Sequence, residues 1–191
     1  MDSKTIVLLA GLTTLGLPAH AAQDGCPAGS YSVVVSPDRT TLSILFDKFN
    51  IDGNPSAGGR SVQSKACTIS HPLDLPANMS LGVYKVDYRG FAKLDPAQQA
   101  YLEVQYALGP HGNGHGRVFR RKIKGAHEGD YFFTENIGAG QMKRAGCGMH
   151  ARLDVKLSLT LSGSGEAMAS LDSTDAKGAA MIYHLDLRKC N

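Results

Sequence analysis

Tryptophan is absent from this 191-residue chain, and cysteine occurs only four times. The first absence removes the largest ring for stacking on a sugar, although Tyr84, Tyr88, Tyr101, Tyr106 and Tyr131 remain. The cysteines form no Cys-x-x-Cys pair, and their spacing fits neither a zinc ribbon nor a zinc finger. Gly-x-Ser-x-Gly, His-Glu-x-x-His and phosphate-loop signatures are also missing. Nothing here amounts to a catalytic signature. The balance leans away from an enzyme, and no cofactor is expected. Past residue 22 no apolar run is long enough to span a bilayer. The formal net charge of +3 is too mild to point to nucleic acid.

What is present first is a leader. Lys4 supplies a positive start, Ile6 to Leu17 a mostly apolar run, and Ala19-His20-Ala21 a small-x-small cleavage pattern. Residues 1–22 are therefore expected to be a cleaved signal peptide, and residues 23–191 one folded domain. Export agrees with the cysteines. Cys26, Cys67, Cys147 and Cys190 all follow the cleavage site, and an even count in an exported chain implies two disulfides. Three connectivities are open, of which the neighbour pairing Cys26–Cys67 and Cys147–Cys190 is favoured. A loop of about 40 residues closed in this way contributes roughly 4 kcal/mol in the chain-entropy model.

The pattern along the chain is that of strands and turns, with Gly at 22 positions. Tyr31–Val35 and Leu42 to Phe49 flank the turn residues Ser36-Pro37-Asp38-Arg39, a hairpin. Val62 to Ile69 reads as a strand stopped by Pro72 and Pro76. In Leu81 to Phe91 the apolar parity switches from odd (Leu81, Val83) to even (Val86, Tyr88), which predicts a β-bulge near Tyr84-Lys85. Asp95-Pro96 has the form of a helix start, yet Leu102, Val104, Tyr106 and Leu108 alternate with Glu103, Gln105 and Ala107, so a strand from about Tyr101 is favoured. Ala151 to Ser162 obeys period two throughout, the mark of a strand with one buried and one wet face. With Val118–Lys124, Tyr131–Thr134, Met168–Leu171 and Met181–Leu187, about ten short strands predict an all-β antiparallel sandwich of jelly-roll type.

Candidate sites are few. His111 and His115 flank a Gly-Asn-Gly loop and are the weak candidates for a metal, with His127 and Glu128 as conceivable partners; a solvated loop tip is the plainer alternative. Cys147-Gly-Met-His150 sets a sulfur near an imidazole, as a cysteine nucleophile would need, but export makes Cys147 a half-cystine. Arg117, Arg120, Arg121, Lys122 and Lys124 concentrate positive charge on one strand. On a sheet Arg120, Lys122 and Lys124 would share a face while Arg121 points away with Phe119 and Ile123. Arg117, Arg120, Lys122 and Lys124 are thus candidates for an anionic ligand, against the alternative that the charge only guards an edge strand. The carboxylates Asp47, Asp87, Glu103, Asp154, Asp172 and Asp186 cannot be paired from sequence, as a glycosidase would require.

Several segments together resemble one family. They are Cys26-Pro-Ala-Gly-Ser30, Val33-Val-Val-Ser-Pro-Asp38, Leu42 to Phe49, Cys67 in its strand, Val86-Asp-Tyr-Arg-Gly-Phe91, Gly129-Asp-Tyr131, Cys147-Gly148 and Tyr183-His-Leu-Asp-Leu-Arg-Lys-Cys190. The chain is similar to the secreted four-cysteine family catalogued as domain of unknown function 4360. The resemblance implies export, two disulfides and a β-rich domain, and it brings no catalytic residues. Many members carry a tryptophan near the last cysteine, where this chain has Leu187-Arg-Lys. The expected function is a non-enzymatic binding module contacting a polysaccharide or another anionic surface polymer. The alternatives are a secreted hydrolase with carboxylates in a cleft, and an inhibitor or effector of another protein.

Overall fold

The computed structural model describes residues 23–53, 61–110, 115–171 and 180–190. The expected leader, His111 and Asp172 lie outside them. Two sheets carry the chain. The first has the order β1 (Gln23–Asp24), β5 (Ser61–Leu73), β11 (Ala151–Gly163), β7 (Gln99–Gly109) and β8 (His115–Lys124). The second runs β2 (Tyr31–Val35), β3 (Thr41–Phe46), β13 (Met181–Lys189), β6 (Met79–Leu94), β12 (Met168–Ser170) and β4 (Asn50–Asp52). Along the other edge of β6 lie β10 (Arg144–Gly146) and β9 (His127–Asn136). Every ladder is antiparallel except the short β1–β5 pair. The fold is the antiparallel β-sandwich that the alternation called for. The three strands beyond the expected ten are β1, β4 and β10, each too short to show a period.

Period two decides what is buried. On β11, Leu153, Val155, Leu157, Leu159 and Leu161 are all within the core, and the facing residues of β7, Leu102, Val104 and Tyr106, join them. The second sheet answers with Leu42 and Ile44 of β3, Val86 and Tyr88 of β6, and Met181 and Tyr183 of β13. These side chains form one continuous cluster between the sheets. The expected bulge is present. Lys85 pairs with His184 and Val83 with Leu185, which leaves Tyr84 as the extra residue of β6.

One sequence expectation is corrected, and one conflict between signals is resolved in favour of the strand. Pro72 does not stop β5, which continues to Leu73 against β11. The far edge of β5 carries β1 only at Lys65 and Ala66, so a residue lacking N–H is tolerated near its end. Asp95-Pro96 starts no helix. The Asp95 N–H donates to the Gln98 side chain and the Gln98 N–H to the Asp95 carbonyl, a closed turn leading straight into β7.

The cystines are Cys26–Cys67 and Cys147–Cys190. The first ties the segment after β1 to the inner face of β5, where Cys26 and Cys67 are both buried. The Gly25 N–H donates to the Ala66 carbonyl at 2.6 Å, so the chain approaches β5 closely there. A side chain at Gly25 would run into Lys65 and Phe49. The second cystine ties the turn after β10 to the end of β13 around the start of β6, with Cys147 N–H on the Met79 carbonyl and Cys190 N–H on the Asn78 carbonyl.

Candidate functional site

The basic strand β8 is an edge of the first sheet. Its register against β7 sets Arg120 opposite Glu103, Lys122 opposite Tyr101 and Lys124 opposite Gln99. Buried Leu102 and Val104 alternate with these, so the three cations stand on the outer face, roughly 7 Å apart along the strand. The same rows continue over β11 and β5 through Ser158, Thr160, Ser162 and Ser64, small and polar on the solvent side. The result is a hydroxyl-bearing face with a basic border, on which Val62 and Val118 are also exposed.

Two of the three cations have partners on that face. Arg120 Nε lies 2.6 Å from Glu103 Oε2, with both side chains exposed, a pair worth about 1 kcal/mol or less. Lys122 Nζ sits 5.1 Å from the ring centroid of Tyr101, which is 42% exposed. The ammonium lies over one face of the ring, and the rest of the ring stays open to solvent. Lys156 of β11 adds another exposed cation to the face, two residues along from Ser158.

Arg117 and Arg121 belong elsewhere. Both fall on the alternate parity of β8 and face inward, Arg117 opposite the buried Tyr106 and Arg121 opposite Leu102. Arg121 Nη2 donates to Glu135 of β9 at 2.7 Å, and the Tyr88 hydroxyl donates to the other oxygen of Glu135. This triad bridges the two sheets. Burial pushes the Tyr106 phenol up to about 12, although the nearby Arg117 pulls it down. The structure thus separates the four anion candidates into an outer set (Arg120, Lys122, Lys124) and an inward Arg117.

The remaining candidates do not converge. His115 opens β8 opposite Leu108. The His127 ring nitrogen lies 3.1 Å from the Gly129 carbonyl, and no group of three metal-ligating side chains occurs among the described residues. Cys147 is bonded to Cys190, so it is no nucleophile, and His150 lines a surface cavity. Four of the carboxylates singled out are held by bases: Asp87 by Lys85 and His184, Glu103 by Arg120, Asp154 by Arg152, and Asp186 by Arg144 and Arg188.

Two features had escaped sequence reasoning. On the outer face of the second sheet Asp87 accepts from His184 Nε2 and Thr134 Oγ1, both at 2.7 Å, and lies 2.8 Å from Lys85 Nζ. Burial alone would raise its carboxyl, but the hydrogen bonds from Lys85, Thr134 and His184 hold it below the usual range. The Thr134 hydroxyl donates to Asp87 and not to the imidazole, so the cluster pins three strands and activates no nucleophile. The other feature is a cleft at one open end of the sandwich, beside Arg39 of the β2–β3 turn and Asp74 of the β5–β6 connection. No sequence signal marked it; in the structure Arg39 holds a φ of 56°, a conformation that favours glycine.

Among known proteins, the chain is 22% identical to an uncharacterized secreted protein of Arthroderma benhamiae, over 87% of this chain and 67% of that relative. Among solved structures it matches TmCBM61 in complex with β-1,4-galactotriose, at 15% identity and a TM-score of 0.28, over 85% of this chain and 83% of that one. Two cystines require an oxidising compartment, and the relative is itself secreted, so the chain is a secreted protein. No helix among the described residues is long and apolar enough to cross a membrane. The family model for the domain of unknown function DUF4360 matches residues 20–190, essentially everything after the expected leader, and the chain belongs to that family.

Proposed function

We propose that the protein is a non-enzymatic binding module whose outer β7–β8 face engages an anionic polysaccharide or a comparable surface polymer. The observation that carries this reading is the alignment of Lys122 and Lys124 with the half-exposed Tyr101 on a hydroxyl-bearing sheet face. Rows of charge about 7 Å apart suit a linear polyanion better than a compact anion. Tyr101 offers a ring for the apolar face of a sugar, in a chain without tryptophan. Because Arg120 is already engaged by Glu103, the attraction rests on Lys122, Lys124 and Lys156, which enter no ion pair among the described residues.

A two-carboxylate hydrolase has less support. The cavity of about 520 Å³ and its neighbour of about 210 Å³ contain one carboxylate between them, Asp74. The test is retention on immobilised heparin under a salt gradient. The unaltered protein should elute well after Lys122→Ala/Lys124→Ala, and a charge-matched Lys143→Ala/Lys189→Ala control, which also removes two exposed lysines, should elute well after the Lys122→Ala/Lys124→Ala protein. Equal elution of all three would reject this face as the binding site.

A further inference from the structure

The Arg39 cleft lies at the opposite character of surface from the basic face. Its inner cavity of about 210 Å³ opens between the sheets, floored by Val35, Leu73, Leu81 and Leu185. The outer hollow of about 520 Å³ falls in the size range of small-molecule sites. Arg39, Leu73, Asp74 and Leu75 line both, so the two spaces share one wall. No phenylalanine or tyrosine borders either, which leaves no plate for a sugar ring.

That wall carries one charge of each sign on exposed side chains, Arg39 and Asp74, with the partly buried His71 within electrostatic reach of Asp74. Arg39 Nη1 donates to the backbone carbonyl of Asp74 at 3.4 Å, and neither side chain enters an ion pair among the described residues. The guanidinium therefore lies near Asp74 without pairing with its carboxylate. The turn that presents Arg39 is stiff. Asp38 accepts from the Ser36 hydroxyl at 2.6 Å, the Thr40 N–H at 3.1 Å and the Thr40 hydroxyl at 2.9 Å. Arg39 and Cys147 are the non-glycine residues with positive φ among those described, and both adjoin this cleft, Cys147 through Gly148. Backbone held in that region by its surroundings is a common mark of a ligand site.

We infer that this cleft binds a small zwitterion of the α-amino-acid class with an aliphatic side chain. Arg39 takes the carboxylate, Asp74 takes the ammonium, and the side chain enters the apolar space between the sheets. A cation and an anion on one wall match a molecule that carries both charges on one carbon. A simple fatty acid would leave Asp74 unmet, and an amine would leave Arg39 unmet.

Calorimetric titration of the intact protein with L-leucine, 4-methylpentanoate and 3-methylbutylamine tests this. Leucine should bind, and each analogue lacking one charge should bind about tenfold more weakly or worse, the loss expected for one charge-assisted contact. Arg39→Gly, a change that suits the positive φ, should weaken leucine by about tenfold and leave the amine unaffected. Asp74→Asn should weaken leucine similarly and spare the acid. Absence of leucine binding at millimolar concentration would overturn the inference, as would equal binding of all three ligands or indifference of leucine to both substitutions. Should a variant fail to fold, the ranking of the three ligands on the unaltered protein still decides.

Discussion

Removal of the first cystine should loosen the whole sandwich while leaving the outer β7–β8 face intact. Cys26 and Cys67 are 41 residues apart, so in the chain-entropy model their cross-link restricts the unfolded chain by about 4 kcal/mol. Both sulfurs are also buried, and Cys67 faces the core beside Leu157. Replacing both by serine therefore adds the cost of burying hydroxyls to the lost cross-link. For a domain of about 170 residues, 4 kcal/mol corresponds to a fall in Tm of roughly 10 °C. The double variant Cys26→Ser/Cys67→Ser avoids leaving a lone thiol and is the cleaner perturbation. Differential scanning calorimetry would read the fall, and heparin retention at a temperature below the new midpoint should be unchanged. A double variant that melts within about 2 °C of the unaltered protein would refute the reasoning, since that is far below the loop-closure value.

The core gives a matched pair of tests. Tyr183→Phe removes a buried hydroxyl with no hydrogen-bond partner among the described residues and should be neutral or stabilise by about 1 kcal/mol, whereas Tyr88→Phe takes a donor from Glu135 and should cost about 1–2 kcal/mol in urea unfolding. Leu159, fully buried at the centre of β11, should cost about 2–5 kcal/mol when cut to alanine. Gly90→Ala would drive a methyl into the Ser170 carbonyl and the Tyr131 hydroxyl, and should cost about 1–3 kcal/mol by the same assay. The carboxyl of Asp87 is held below its ordinary value of 3.8, so its stabilisation is present above that pH and is lost as pH falls through the lowered value. Asp87→Asn should thus narrow the stability gap to the unaltered protein progressively below about pH 4.

Much of the fold could be read from side-chain period. Leu153 to Leu161 announced β11, and the parity switch around Tyr84 announced the bulge, because both are local consequences of which face is buried. The short strands β1, β4 and β10 could not be read, since two or three residues carry no period and are made strands by their neighbours. The site was legible only by halves. Alternation put Arg120, Lys122 and Lys124 together on β8, but that Arg120 meets Glu103 and Lys122 covers Tyr101 depends on the β7 register, which sequence does not print. The Arg39 cleft was hidden for a stronger reason: Arg39, Asp74 and Leu185 are brought together only by the closure of the two sheets.

The most direct measurement is chemical-shift mapping of the ¹⁵N-labelled protein titrated with a sulfated oligosaccharide at low salt. Perturbed amides should cluster on Tyr101, Glu103, Lys122 and Lys124 and fade as salt is raised, since exposed charges are screened. Shifts confined to the Arg39 cleft, or none at any salt concentration, would contradict binding on the β7–β8 face.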